Sequence, residues 1–226
     1  MLNMNFSTRL CINTTEMKWQ QSPTAGVTRK PLEREAAESG HTTSIVRYAA
    51  NSAFPEHHHP KGEEIYVLTG TFSDESGHYP AGSYLRNPPS SHHRPFSKEG
   101  CDIFVKLNQF APDDSHPVRI NTQAFTSDEP NSLFELHRHS NQACYLIQLQ
   151  GAQAFNTQPF DCLLQPTPDT DTAAHHIQRT EVFVLEGALN NEQEHFSQGY
   201  WLRLPTPEHF MSAAGTTRLL LFYFFD

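Results

Sequence analysis

The strongest constraint on how this chain can fold is an internal repeat. Residues 174–205, set beneath residues 57–88, share 12 identities without a gap at a fixed shift of 117, where chance supplies about two. The shift carries Gly70, Gly82, Leu85, Arg86 and Pro88 onto Gly187, Gly199, Leu202, Arg203 and Pro205. It also matches His58, His59 and Glu64 with His175, His176 and Glu181. A constant offset over so long a window means two copies of one structural unit, each the size of a small domain. The Pro- and Asp-containing stretch APDDSHPV at 111–118 reads as the linker, which puts the copies at 1–117 and 118–226.

Each copy reads as β-structure. TTSIVRYA at 42–49, EEIYVLTGTFSD at 63–74, SYLRN at 83–87 and DIFVKLNQF at 102–110 are short runs rich in β-branched and aromatic residues. FDCLLQ, EVFVLEGAL, YWLRL and TRLLLFYFF repeat the series in the second copy. Helical periodicity is missing, apart from a turn at PLEREAAES. Sixteen Pro and 11 Gly punctuate the chain, so the expected class is all-β, in antiparallel sandwiches or barrels. Trp19, Phe54, Phe72, Tyr84 and Phe104 are read as core.

The first copy also carries a chemical signature. His57 and His59 are one residue apart, so on a strand they point to the same side. Glu63 follows across a tight turn, and His93 arrives after Gly82 and another strand. Three imidazoles and a carboxylate make a mixed N/O set that suits zinc, iron, nickel or manganese. In the second copy Ala174, Thr180 and Phe210 replace His57, Glu63 and His93, although a one-residue deletion would bring His209 into the last place. That copy therefore looks degenerate, and whether His175, His176 and His209 bind metal is left open. His137 and His139 form another H-x-H, but Ala143 stands where a glutamate is needed, so they are read as a strand-end feature.

Bulk properties exclude some functions. The formal charge is −9 and no cluster of five Lys or Arg exists, which argues against direct nucleic-acid binding. The opening MLNMNFSTRL has no apolar core and no run of 18 apolar residues occurs, so a cytoplasmic location is expected, with no membrane partner. Cys11, Cys101, Cys144 and Cys162 form no C-x-x-C pair and read as reduced thiols.

These motifs resemble the cupin superfamily. His57, His59, Glu63 and Gly70 match its first motif, with Asn51 in place of the leading Gly; Gly82, Pro88 and His93 match its second, with Ser90 in place of a Gly and Ser97 in place of an Asn. The resemblance implies two tandem cupin barrels of the double-stranded β-helix, or jelly-roll, type. W-x-x-S-P-x-x-G-V-x-x-K-x-L from Trp19, TSIVRYA, GEE-x-x-V-L-x-G-x-F-S-D-E, Y-x-A-G-x-Y, RNPPSS and GC-x-I-F-V-K-L make residues 19–107 similar to the cupin domain of ChrR-type anti-sigma factors. That likeness implies zinc held by His57, His59, Glu63 and His93, and a sensing half of a stress-responsive repressor. ChrR proteins grip their sigma factor with a separate helical domain bearing H-x3-C-x2-C, a motif this sequence lacks.

The expected function is thus a metal-binding sensor or regulatory module that responds to a small-molecule effector or oxidant and signals to a regulatory protein, a sigma factor among the candidates. The alternative is a non-haem metal-dependent enzyme such as a cupin dioxygenase. Edge strands leave a homodimer open.

Overall fold

The computed structural model describes residues 1–127, 129–158 and 177–225. The run FDCLLQ at 160–165, Cys162, His175 and His176 lie outside the described residues. The chain is all-β: among the described residues its one helical element is the 3₁₀ turn Thr122–Ala124. PLEREAAES does not coil. Its first four residues end the strand Val27–Arg34.

Two compact units form. One contains Met1–Asn5 and Thr14–Thr126, the other Phe6–Asn13 and Ser127–Asp226. The division after Thr126, rather than at 117/118, has a local cause: Val118–Asn121 is a strand that pairs with Ser83–Asn87 of the first unit. The 111–118 stretch is largely exposed but is tied to the first unit at Asp114. Asp114 is 1% exposed, and its Oδ2 accepts a hydrogen bond from Arg86 Nη2 at 2.6 Å.

The main sheet of the first unit runs Val118–Asn121, Ser83–Asn87, Glu63–Asp74, Cys101–Leu107, Thr42–Tyr48, Val27–Arg34, Gln20–Gln21, with all neighbours antiparallel. The second unit repeats this order with Leu10–Asn13, Tyr200–Leu204, Ile177–Glu186, Thr216–Phe225, Gln142–Gln150, Asn131–His139. The shift of 117 places Ser83–Asn87 on Tyr200–Leu204 and Cys101–Leu107 within Thr216–Phe225. It fails one strand further on. Leu107 pairs with Thr42, while its counterpart Phe224 pairs with Gln142, an offset of 100. The sheet position expected for FDCLLQ is therefore held by Gln142–Gln150.

Alternation along these strands separates an inner from an outer face. Inside the first unit, Val27, Tyr48, Ile65, Val67, Phe72, Leu85, Ile103 and Val105 form one apolar cluster. Inside the second, Val182, Val184, Leu202, Leu204, Leu219, Leu221, Phe155 and Phe210 do the same. Each such side chain removed from water contributes roughly 1.5–3 kcal/mol before entropy is counted. On the outer face, Glu64 sits opposite Arg86 and Glu181 opposite Arg203, the same cross-strand pair in both units. All four are buried.

The repeated glycines are backbone requirements. Gly70 and Gly187 hold φ of +69° and +72°. A Cβ would lie 2.0 Å from Gly100 O at the first and 2.4 Å from Thr216 O at the second, so no other residue fits either turn.

Candidate metal centre

The four expected ligands converge. The strand His57–His59 pairs with Ser91–His93, which sets His57 opposite His93 and His59 opposite Ser91. Alternation sends His57 and His59 to one side and His58 to the other, where its ring lies 5.3 Å from that of His92. After His59 the chain turns through Gly62, at φ +78° with Gly62 N–H donating to His59 O, and enters the strand that begins at Glu63. The loop before His93 uses Ser90 at φ +68°, and Asn51 holds φ +59°. Both stand where the resembled motifs have glycine, and both keep the left-handed backbone that the glycine would supply.

One ligand atom from each of His57, His59, Glu63 and His93 lies within 4.8 Å of the others. Glu63 Oε2 is 3.4 Å from His59 Nε2 and 3.4 Å from His93 Nε2. Two atoms each ~2.1 Å from a shared ion stand roughly 3–3.4 Å apart, so the spacing fits a cation between them. His57 Nδ1 is 2.9 Å from Pro55 O, a hydrogen bond that leaves Nε2 as the available lone pair.

The fit is also visible in what the group lacks. His59 Nε2 and His93 Nε2 are buried without a hydrogen-bond partner. Two buried orphan nitrogens facing one carboxylate oxygen are costly in a bare protein, and a coordinated cation satisfies both. Burial pushes the His59 imidazole down to about 4, so it stays neutral. For Glu63, burial acts upward but is outweighed by electrostatic interaction with the His59 and His93 imidazoles and by the Asn87 hydrogen bond, which hold the carboxyl below its usual range. His93 is also desolvated, yet its bond to Asp74 and the charge of Glu63 raise it. A neutral imidazole and an ionised carboxylate are the states that metal binding requires.

Two residues that the sequence reasoning missed support the ligands. Asn87 Nδ2 donates to Glu63 Oε2 at 2.7 Å, and Asp74 Oδ2 lies 3.4 Å from His93 Nδ1. Read locally, Asn87 is only the end of SYLRN and Asp74 only the end of EEIYVLTGTFSD. Their role follows from cross-strand pairing, such as Glu63 opposite Asn87, which no local pattern announces. Phe54, expected in the core, is half-buried at its margin: it packs against the apolar cluster of the first unit, and its ring lies 5.0 Å from that of His57. It lines a cavity of about 550 Å³ that reaches His57 and His59.

The second unit has no such group among its described residues. Thr180, Leu204 and Phe210 occupy the positions of Glu63, Asn87 and His93, and all are buried. Phe210 packs in the core while His209 is exposed, so no deletion restores a histidine there. His137 and His139 end the strand Asn131–His139, as expected, and join no ligand cluster. Cys11, Cys101 and Cys144 are in the thiol form, not disulfides, and burial pushes the thiols of Cys11 and Cys101 up to about 11, which disfavours the nucleophilic thiolate.

Residues 7–111 match the family model described as the ChrR Cupin-like domain. Residues 7–111 are therefore similar to the ChrR cupin-like domain. No curated protein matches it. Among solved structures, bacterial pirin YhhW from Escherichia coli in complex with nickel(II) is 14% identical, with a TM-score of 0.68 over 97% of this chain and 100% of that one. A protein provisionally assigned as a dioxygenase from Nostoc punctiforme gives 14% identity and 0.68 over 97% and 83%. Bacillus subtilis oxalate decarboxylase gives 9% and 0.60 over 94% and 76%. Likeness at these identities establishes the two-barrel cupin fold. No helix among the described residues is long and apolar enough to cross a membrane.

Proposed function

We propose that the first unit is a metal-dependent sensor module, with zinc held by His57, His59, Glu63 and His93. The observation that carries this reading is the pair of buried, unpartnered Nε2 atoms at 3.4 Å from a single carboxylate oxygen. A bound divalent ion supplies a Lewis-acid position at which a ligand can exchange. The chain's own residues fix the imidazoles and carboxylate, keep His59 unprotonated, and leave the cavity beside His57 and His59 as the route for an effector or oxidant. The output is a change in loop geometry read by a regulatory protein, for which the ChrR likeness of residues 7–111 makes a sigma factor the first candidate.

A second reading is a non-haem metalloenzyme. The cavity favours it, because a space of about 550 Å³ beside the ligands is large enough for a small substrate. Elemental analysis of protein purified from cells separates the two. One zinc per chain, no aerobic turnover of β-diketones or related enols, and a co-purifying regulator support the sensor. Iron or manganese with turnover supports the enzyme. A protein that takes up no divalent metal, even when offered it, overturns both.

A further inference from the structure

The cavity beside His57 and His59 has a charge pattern that the four candidate ligands do not explain. The strand Val27–Arg34 pairs Arg34 with Thr42, Thr42 pairs with Leu107, and Leu107 pairs with Glu63. Directly paired residues share a face of the sheet, so Arg34 stands on the same inner row as the ligand Glu63. A register shift between Pro31 and Glu33 sets it there. Arg34, Lys61, Phe54 and Leu107 all line the cavity that reaches His57 and His59.

The other charges around that cavity are already engaged. Arg29 Nη2 donates to Glu38 at 2.9 Å, and Glu35 Oε2 accepts from His41 N–H at 2.9 Å. His41 Nε2 lies 3.0 Å from Glu33 Oε2. The Arg34 guanidinium is half-buried and has no hydrogen bond or ion pair among the described residues, and the Lys61 ammonium has none either. Burial and the nearby Arg29 hold the Arg34 pKa below its ordinary value, against an opposing attraction from Glu38, whose carboxylate is bonded to Arg29. A planar guanidinium left unpaired in a concave wall, in a protein of net charge −9, is a ready partner for a carboxylate.

We infer that the cavity binds a small organic monocarboxylate, whose carboxylate is held by Arg34 with help from Lys61 and whose apolar body lies along Phe54 and Leu107 toward the metal centre. This rests on the reading of the site as a metal centre with a ligand port, and it holds whether the port serves sensing or turnover.

The test is calorimetric titration of zinc-loaded protein with acetate, benzoate and 3-phenylpropanoate, each beside its uncharged amide. The expected result is a preference of at least tenfold for one or more acids over the matching amide. Arg34→Gln is expected to remove that preference while retaining one zinc per chain, and Arg34→Lys to keep part of it. Lys61→Gln is expected to reduce it by a smaller factor. Equal affinity for every acid and amide, no binding of any probe, or a preference that survives Arg34→Gln overturns the assignment. Zinc content, measured on each preparation, separates this outcome from failure of the metal reading: absence of metal uptake with an intact Arg34-dependent preference in metal-free protein breaks only the latter.

Discussion

The two barrels share their outer face and differ on the inner one. Glu64 and Arg86 of the first unit face each other as Glu181 and Arg203 do in the second, and all four are buried. Arg86 Nη1 donates to Glu64 Oε1 at 2.8 Å, and Trp201 Nε1 donates to Glu181 Oε2 at 3.3 Å where Tyr84 bonds Glu64. Yet Glu63, Asn87 and His93, one step around on the inner face, become Thr180, Leu204 and Phe210. A fold of this kind thus keeps its buried polar pair when it loses its ligand set. A charged group cut loose in the interior costs several kcal/mol, whereas a ligand cluster can be exchanged for well-packed apolar residues.

The comparison predicts unequal sensitivities. The largest effect is on metal. His59→Ala is expected to reduce bound metal from one per chain to nearly none, while His209→Ala leaves it unchanged, as read by elemental analysis. Equal loss in both variants would place the metal somewhere other than the first unit. Next comes the shared outer face. Arg86→Ala strands Glu64 and Asp114 in the interior and is expected to cost about 3–5 kcal/mol in denaturant unfolding. A cost near that of a surface substitution would show that the network is dispensable.

Asp74→Asn is expected to weaken metal affinity by about 10–100-fold, since it removes the charge behind His93. Competition with a chelator measures it. No change would confine Asp74 to the turn, where it also accepts from Ser76 N–H.

Acid should act on the first unit through the same groups. In metal-free protein the His59 pKa is lowered from 6.5 to about 4, so the unfolded chain takes up this proton first. Stability is therefore fully present above pH 6.5 and falls as pH drops toward 4. The lowered Glu63 extends the loss below its ordinary range, and the raised His93 opposes it in part. Thermal unfolding from pH 7 to 4.5 should show the decline, and His59→Gln should flatten it. A slope untouched by that substitution would assign the decline to other groups.

The smallest effect belongs to the second unit. Thr180 Oγ1 is buried without a hydrogen-bond partner, so Thr180→Val is expected to stabilise by about 1 kcal/mol. The same exchange at Glu63 should instead abolish metal binding. A destabilised Thr180→Val would reveal a polar role that the degenerate site still plays.

Much of this was legible before any fold was known. The strands Glu63–Asp74, Ser83–Asn87 and Tyr200–Leu204 match the runs read from composition residue for residue. The convergence of His57, His59, Glu63 and His93 needed only alternation, a tight turn and a repeat from which they stood out. These are local regularities, and a strand imposes them wherever it lies. Other features depend on which distant segments pair. Leu10–Asn13 belongs to the sheet of the second unit, Val118–Asn121 to that of the first, and Gln142–Gln150 takes the place expected for a later run. Asn87 meets Glu63 from a neighbouring strand, Asp74 comes from the far end of Glu63's own strand, and Arg34 lines the adjoining cavity from a third, placements set by hydrogen-bond register and strand curvature. Register is a property of two chains of atoms meeting, stabilised by the faces they bury together, and the order of residues along one strand does not specify it.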